Sequence, residues 1–131
     1  MGPFLLKKTY YERFFMKRTL VLKKSNEFQR VLQKGKWYNG KLISIYILPN
    51  NNNNIFLGIA VSKKSGKAVK RNRIKRVIRE AYRQYDSQII PGNNIVVIWK
   101  TKNLFENLNF CAIKEDMLKC FSKAGVLKWK K

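Results

Sequence analysis

Residues 63–83 read KKSGKAVKRNRIKRVIREAYR, and this stretch decides how the rest of the chain is organised. Its apolar side chains recur every three or four residues, which is the period of a helix with one buried side. At about 100° per residue, Asn72, Arg76, Arg79 and Arg83 gather on the opposite side of that helix. The pattern therefore predicts an amphipathic helix. Its core side carries Ile74, Val77, Ile78, Ala81, Tyr82 and Tyr85.

The charge of this stretch is almost entirely positive. Glu80 is its single acid, so the basic side chains repel one another by a few tenths of a kcal/mol for each pair one turn apart. A net charge of +22 and an isoelectric point near 10.4 spread the same field over the whole chain. Nucleic acid is the favoured partner, and a membrane surface or simple solubility are the alternatives. The basic residues are Lys63, Lys64, Lys67, Lys70, Arg71, Arg73, Lys75, Arg76, Arg79 and Arg83.

A chain of 131 residues with 45% hydrophobic residues is long enough for one domain with a single core. We assign residues 20–127 to one RNA-binding domain, 1–19 to a flexible N-terminal extension and 128–131 to a basic tail. The extension shows no periodicity, and it is either a frayed or upstream-translated segment or an arm that contacts RNA. No apolar run reaches the ~18 residues of a membrane span, and the first residues are too short an apolar stretch for a secretory signal.

Cys111 and Cys120 are the two cysteines, and at their spacing they fall on roughly opposite sides of a helix. Because the chain has no histidine, a zinc site would lack its usual further ligands. Unpatterned cysteines are typical of a reducing compartment, so we expect a cytoplasmic protein.

The remaining elements follow from periodicity and turn residues. Residues 25–34 predict a short helix with Ser25 as N-cap and Gly35 as its end. Apolar runs at 41–48 and 55–62 predict two strands, joined as a loose hairpin by Pro49 and the asparagines at 50–54. Gly58, inside the second run, indicates a bulge or a close approach of another group. The run IVVIW at 95–99 predicts a strand covered on both faces, and 109–123 predicts a last helix that stops at Gly125.

The order of these elements is α-β-β-α-β-α, with room for one more short strand near Trp37 and Tyr38. It predicts an α+β fold, a two-layer sandwich of about four strands and three helices. The strands on either side of the basic helix form a βαβ unit and should be parallel. Chain sterics alone predict a right-handed crossover for that unit.

The chain offers poor material for a hydrolytic active site of its own. The chain has no histidine that could act as a general base. Of the seven acids only Glu115 and Asp116 are adjacent, and on a helix their side chains would point about 100° apart. A glycine-rich phosphate loop is absent from the sequence. A Ser and Lys arrangement with Ser62 or Ser65 stays open, but a self-sufficient nuclease is disfavoured.

The stretch 62–83 resembles the signature of the bacterial ribonuclease P protein subunit. That signature has an Arg-Asn-Arg core inside a basic helix, here Arg71, Asn72 and Arg73, preceded by a Lys-Lys, Gly, Ala-Val segment. The Phe28 helix, the Tyr46 strand, the Gly58 strand, IVVIW and the closing helix also come in the family's order. The resemblance covers roughly residues 19–127.

The resemblance implies a ribonucleoprotein enzyme that removes the 5′ leader from precursor tRNA and leaves a 5′ phosphate. The RNA subunit would carry the catalytic Mg²⁺, while the protein would supply no catalytic group, bind no metal tightly and need no obligate protein partner. The partners would be the ribonuclease P RNA and precursor tRNA. The resemblance also implies a left-handed crossover around the basic helix, against the expectation from sterics.

The resemblance further implies two sets of site residues. The leader of precursor tRNA would lie against Phe28, Leu32 and Tyr46, although Phe28 and Tyr46 could equally be core residues. Leu32 stands where an aromatic residue is frequent, which would weaken base stacking there. Trp99 stands where a smaller residue is usual, so the cleft floor or the core beneath it would be reshaped. The RNA subunit would contact Lys63, Lys64, Lys67, Arg71, Asn72, Arg73, Lys75, Arg76, Arg79 and Arg83.

A rival interpretation is a small ribosomal or RNA-chaperone protein, which shares the charge and size but predicts no preference for a 5′ leader. A helix-turn-helix DNA reader is less favoured, because a strand and not a helix precedes the basic helix.

Overall fold

The structure, a computed structural model, describes residues 19–128. Three short 3-10 turns accompany the regular elements, at Lys63–Ser65, Asp86–Gln88 and Phe105–Asn107. The strands are β1 (Thr19–Val21), β2 (Lys36–Asn39), β3 (Ile43–Pro49), β4 (Ile55–Ala60) and β5 (Asn93–Trp99), and the helices are α1 (Ser25–Lys34), α2 (Ala68–Arg83) and α3 (Phe110–Ala124).

The strands form one mixed sheet in the order β1-β4-β5-β3-β2. β4 and β5 are parallel and α2 connects them, so the predicted βαβ unit is confirmed. β3 runs antiparallel to both β5 and β2. The α+β class with three helices and the short strand at Trp37 and Tyr38 are likewise confirmed, while the left hand of the crossover stays a prediction.

The predicted hairpin between the strands at 41–48 and 55–62 is wrong. β3 and β4 do not pair, because β5 lies between them and bonds to both. The asparagine loop crosses the start of β5: Asn50 N donates to Gly92 O at 2.8 Å, and Gly92 N donates to Asn54 O at 3.1 Å. Gly92, with φ of 91°, supplies the left-handed turn that this crossing needs. β5, whose IVVIW run is continuously apolar, takes the central position, where both of its faces are covered.

The sheet has five strands and not about four, because a three-residue strand, β1, pairs in parallel with β4. Three residues are too few to show a strand period, so β1 depends on this pairing. Residues 1–18 and 129–131, which hold most of the predicted extension and tail, lie outside the described residues.

Helices cover both faces of the sheet, so the fold has three layers, helix, sheet and helix, where two were expected. On one face, α2 and α3 enclose the main core with alternate strand residues such as Ile45, Ile95 and Val97. On the other face, α1 packs Val31 against Val96. α1 begins at Ser25 without the predicted Ser25 cap, since Lys24 holds the N-cap position and no side chain caps the helix.

α2 turns the predicted apolar side inward. Ile74, Ile78, Ala81 and Tyr82 are fully buried, and the Tyr82 ring meets Phe121 of α3 edge-on at 6.1 Å between ring centroids. α3 lies where it was predicted: Asn109 Oδ1 accepts the N-terminal hydrogen bond from Ala112 N at 2.9 Å, and Gly125 ends it with φ of 72°. Trp99 is 1% exposed and lies in the main core, not on the face under α1.

Candidate nucleic-acid interface

The basic side of α2 is directed by the burial of its apolar side. With Ile74 and Ile78 inward, Asn72, Arg73 and Arg76 are exposed to solvent. Lys75, Arg79 and Arg83 are half-buried. Arg83 Nη2 lies 3.6 Å from Glu80 Oε1, so one cation is partly neutralised within the helix. The basic side of α2 is the name used below for seven residues of this helix: Arg71, Asn72, Arg73, Lys75, Arg76, Arg79 and Arg83.

The loop before α2 is built so that its lysines face solvent. Ser62 Oγ accepts a hydrogen bond from Lys64 N at 3.1 Å, which caps the 3-10 turn, and Gly66 follows with φ of 133°. Arg71 Nε then donates to Gly66 O at 3.1 Å and ties the loop to the helix. The three lysines of this loop are exposed: Lys63, Lys64 and Lys67.

Lys70 differs from the other cations because its ammonium group lies 5.2 Å from the centroid of the Phe105 ring. A cation over a ring face is stabilised by about 0.5–1 kcal/mol at an exposed site. This contact links α2 to the turn before α3, so Lys70 has a structural contact of its own.

The predicted leader residues come together on the face of the sheet that carries α1. Phe28, Leu32 and Tyr46 are all half-buried in the smaller apolar cluster there. Phe28 lies directly over Gly58, where an added Cβ would be 2.7 Å from the ring. The regular pairing of β4 with β5 continues through Gly58. Of the two alternatives predicted for Gly58, the close approach of another group is therefore correct and the bulge is not. We call Phe28, Leu32 and Tyr46 the aromatic face, although Leu32 has no ring.

A shallow cleft of about 150 Å³ joins the aromatic face to the basic side of α2. Phe28 and Gly58 line it from the sheet side, and Lys75 and Arg79, one turn apart on α2, line it from the other. The periodicity of α2 predicts that Arg79 faces away from the core, but it contains no sign that Lys75 and Arg79 line one cleft with Phe28. That arrangement depends on β1 and β4, whose residues Val21, Leu57 and Gly58 also line the cleft.

The buried acids serve the fold. Asp116 accepts hydrogen bonds from Lys41 N, Leu42 N and Ile43 N at 3.1, 2.7 and 3.3 Å. Asp86 accepts a hydrogen bond from Thr19, whose hydroxyl also shares a hydrogen bond of 2.7 Å with Tyr82. Within residues 19–128, no three His, Cys, Asp or Glu side chains are grouped closely enough to hold a metal ion.

Neither cysteine forms a disulfide; Cys120 is buried and Cys111 is exposed. Burial, with a smaller contribution from the charge of Asp116, raises the pKa of the Cys120 thiol. A thiol that stays protonated is a poor nucleophile and a poor metal ligand. In the described part of the chain, no helix is long and apolar enough to cross a membrane.

The sequence matches the family model described as Ribonuclease P over residues 16–125. The ribonuclease P protein component of Dictyoglomus turgidum is 40% identical over 116 residues, which cover 88% of this chain and 97% of that protein. The ribonuclease P protein component of Listeria monocytogenes is 36% identical, covering 88% of this chain and 96% of that protein. This chain belongs to the ribonuclease P protein family.

Solved structures of the ribonuclease P protein show the same fold. The Staphylococcus aureus protein superimposes with a TM-score of 0.70 at 33% identity, covering 82% of this chain and 96% of that chain. The Thermotoga maritima protein gives a TM-score of 0.69 at 30% identity, covering 78% and 94%. A ribonuclease P protein is a subunit of an RNA-based endoribonuclease with a role in tRNA 5′ processing, and the RNA component is its partner.

Proposed function

We propose that this ribonuclease P protein binds its RNA subunit through the basic side of α2 and binds the 5′ leader of precursor tRNA on the aromatic face. By holding both, it promotes endonucleolytic removal of the leader. The cleft where Lys75 and Arg79 lie beside Phe28 carries this proposal. A single strand of RNA needs cations for its phosphates and rings for its bases, and this cleft offers both.

We assign the exposed cations to the RNA subunit because its phosphates can reach them from solvent. Arg73 and Arg76 are exposed on a helix anchored in the core, and the lysines of loop 63–67 are exposed just before it. Each phosphate they neutralise releases counterions, so association should weaken steeply as salt rises. Arg71, which also holds Gly66 O, orders the loop for the same contact.

The leader is assigned to the aromatic face because the rings there are only half-buried. Phe28 and Tyr46 contribute to the apolar cluster with part of each ring and leave the rest accessible to a base. Stacking on such rings tolerates any base sequence and selects single strands over duplex. Leu32 can add apolar contact but no stacking.

We assign the hydrolytic chemistry to Mg²⁺ on the RNA subunit. Such ions activate the attacking water and stabilise the leaving oxygen. The protein contributes affinity for the precursor and for the metal-loaded RNA, and no catalytic group, tightly bound metal or further protein subunit. The engagement of Asp86 and Asp116 in structural hydrogen bonds supports this division. The same proposal places the protein in the cytoplasm with the precursor tRNA.

The test is cleavage of a 5′-labelled precursor tRNA at low magnesium, with the protein alone, the cognate RNA alone and both together. We expect leader release to need both components. Cleavage at the mature 5′ end by the protein alone would contradict the absence of a catalytic group. If the protein changed nothing, the ribosomal or chaperone interpretation would replace the proposal.

A further inference from the structure

Trp37 stands out because it lies in the edge strand β2 and is 57% exposed. Its register partner across the strand pair is Tyr46 of the aromatic face. Residues directly opposite in antiparallel strands have Cβ atoms about 5 Å apart and share one face of the sheet. Trp37 is therefore the immediate neighbour of Tyr46 on the α1 side.

The register extends this neighbourhood into a row across the sheet. Tyr46 is opposite Val96 of β5, and Val96 is opposite Gly58 of β4, on which Phe28 lies. With strands about 4.8 Å apart, the row from Gly58 to Trp37 measures roughly 14 Å. Lys75 and Arg79 stand at its Gly58 end, and Trp37 stands at the opposite end.

Trp37 lies outside both apolar clusters of the described residues. In the described part of the chain, the close ring pairs join Phe121 to Tyr82 and to Tyr85, and Trp37 belongs to neither. β2 is held by its backbone pairing with β3 and by Tyr38, which packs against the main core from the other face. A large ring left in water beside a second accessible ring is typical of a binding surface.

The charges around this row suit a polyanion. No Asp or Glu lies between Glu27 and Glu80, so α1 beyond its first turn and β2, β3 and β4 contain no carboxylate. Lys34, in the last turn of α1, is exposed three residues before Trp37. A single-stranded RNA that contacts Trp37 and Tyr46 thus meets no carboxylate from β2, β3 or the later turns of α1.

We propose that Trp37 is a further stacking site for an unpaired base of the leader, beyond Tyr46 and more distant from α2. This inference rests on the proposed function, because it extends the path of the leader. It assigns to this chain a longer contact with the precursor than Phe28, Leu32 and Tyr46 would make. Trp37 would thereby supply a ring that Leu32 lacks.

The test uses the reconstituted holoenzyme and precursor tRNAs whose leaders lengthen by one nucleotide at a time. Trp37→Thr keeps a strand-forming residue and removes the ring. For leaders long enough to reach β2, we expect this variant to bind about 5- to 100-fold more weakly. Short-leader precursors and mature tRNA should bind as they do to the wild type. Because no cation is lost, the dependence of binding on salt concentration should keep its slope.

Two control variants separate a ring effect from a general effect. Trp37→Phe should retain most of the affinity, and Leu104→Thr, which changes an exposed apolar residue elsewhere, should change nothing. In a Trp129→Phe background, the fluorescence change on adding precursor reports Trp37, since Trp99 is buried out of reach of a stacking base and adds a constant signal. Quenching by a long leader but not by a short one is expected, and this readout does not require the Thr variant to fold.

The inference would be overturned if Trp37→Thr bound precursors of every leader length as the wild type does, or if it lost as much affinity for mature tRNA as for precursor. Trp37 fluorescence that a long leader does not quench would also overturn it. Phe28→Ala and Tyr46→Ala distinguish this failure from failure of the proposed function. If they weaken precursor binding selectively while Trp37→Thr does not, the inference alone is wrong. If all three variants bind precursor as the wild type does, the leader assignment is wrong as well.

Discussion

The basic side of α2 and the aromatic face differ in how they are exposed. The cations of α2 stand on a helix anchored by fully buried residues such as Ile74 and Ile78, so Arg73 and Arg76 are exposed to solvent. Phe28 and Tyr46 instead divide each ring between the apolar cluster and the surface. Electrostatic contact with phosphates tolerates mobile side chains and acts at a distance, whereas stacking needs a ring held in place. The first surface suits a large folded RNA, and the second suits a short single strand.

A single substitution should weaken RNA binding at both surfaces only if it destabilises the core that holds them. Ile78→Ala removes a fully buried side chain beneath α2 and should destabilise the protein by about 2–5 kcal/mol. Thermal and urea unfolding would measure this loss. Val69→Ala, at a position 79% exposed on the same helix, is the matched control and should change stability little. A stable Ile78→Ala protein would mean that α2 does not depend on this packing.

Removing two outward cations should break the first surface alone. Arg73→Ala with Arg76→Ala is preferred to a change at Arg71, because Arg71 also holds Gly66 O. RNA-subunit affinity should fall about 10- to 100-fold, and the salt slope should decrease by about 2 for two lost phosphate contacts. Filter binding across a salt series measures both.

The matched control for that pair is Lys119→Ala with Lys123→Ala, which removes the same charge from exposed positions of α3. It should lower affinity far less. Equal losses from the two pairs would mean that net charge, and not the basic side of α2, governs the association.

Removing a ring should break the second surface alone. Phe28→Ala should weaken precursor tRNA binding by about 1–3 kcal/mol and leave mature tRNA binding nearly unchanged. Comparative binding of the two tRNAs to the holoenzyme gives the measurement, with Phe110→Ala on α3 as the control. Parallel losses for precursor and mature tRNA would return Phe28 to a purely structural role.

The smallest effect should come from moving a ring without removing it. Gly58→Ala places a Cβ 2.7 Å from the Phe28 ring, so the ring must shift. We expect a loss of precursor affinity of about 1 kcal/mol, with RNA-subunit binding unchanged. Combining it with Phe28→Ala should add little, because the two changes act through one contact. Additive losses would show that Gly58 matters for another reason.

Much of the fold follows from local pattern. The periods of α2 and α3, the turn at Gly125 and the apolar run of β5 all depend on residues close in the chain, and each lies where it was predicted. The hairpin of β3 and β4 was wrong because the choice of strand neighbours depends on residues far apart in sequence. The signal that β5 is apolar on both faces was present, and it favours a central position between other strands.

The candidate sites divide in the same way. By itself, the sequence determined the basic side of α2, because a helix sorts its charged and apolar residues over a few turns. Only the tertiary structure decided that Lys75 and Arg79 line one cleft with Phe28, that Phe28 covers Gly58, and that Trp37 stands beside Tyr46. Those contacts join different strands and helices, and their geometry is set by sheet order and register, which no local period contains.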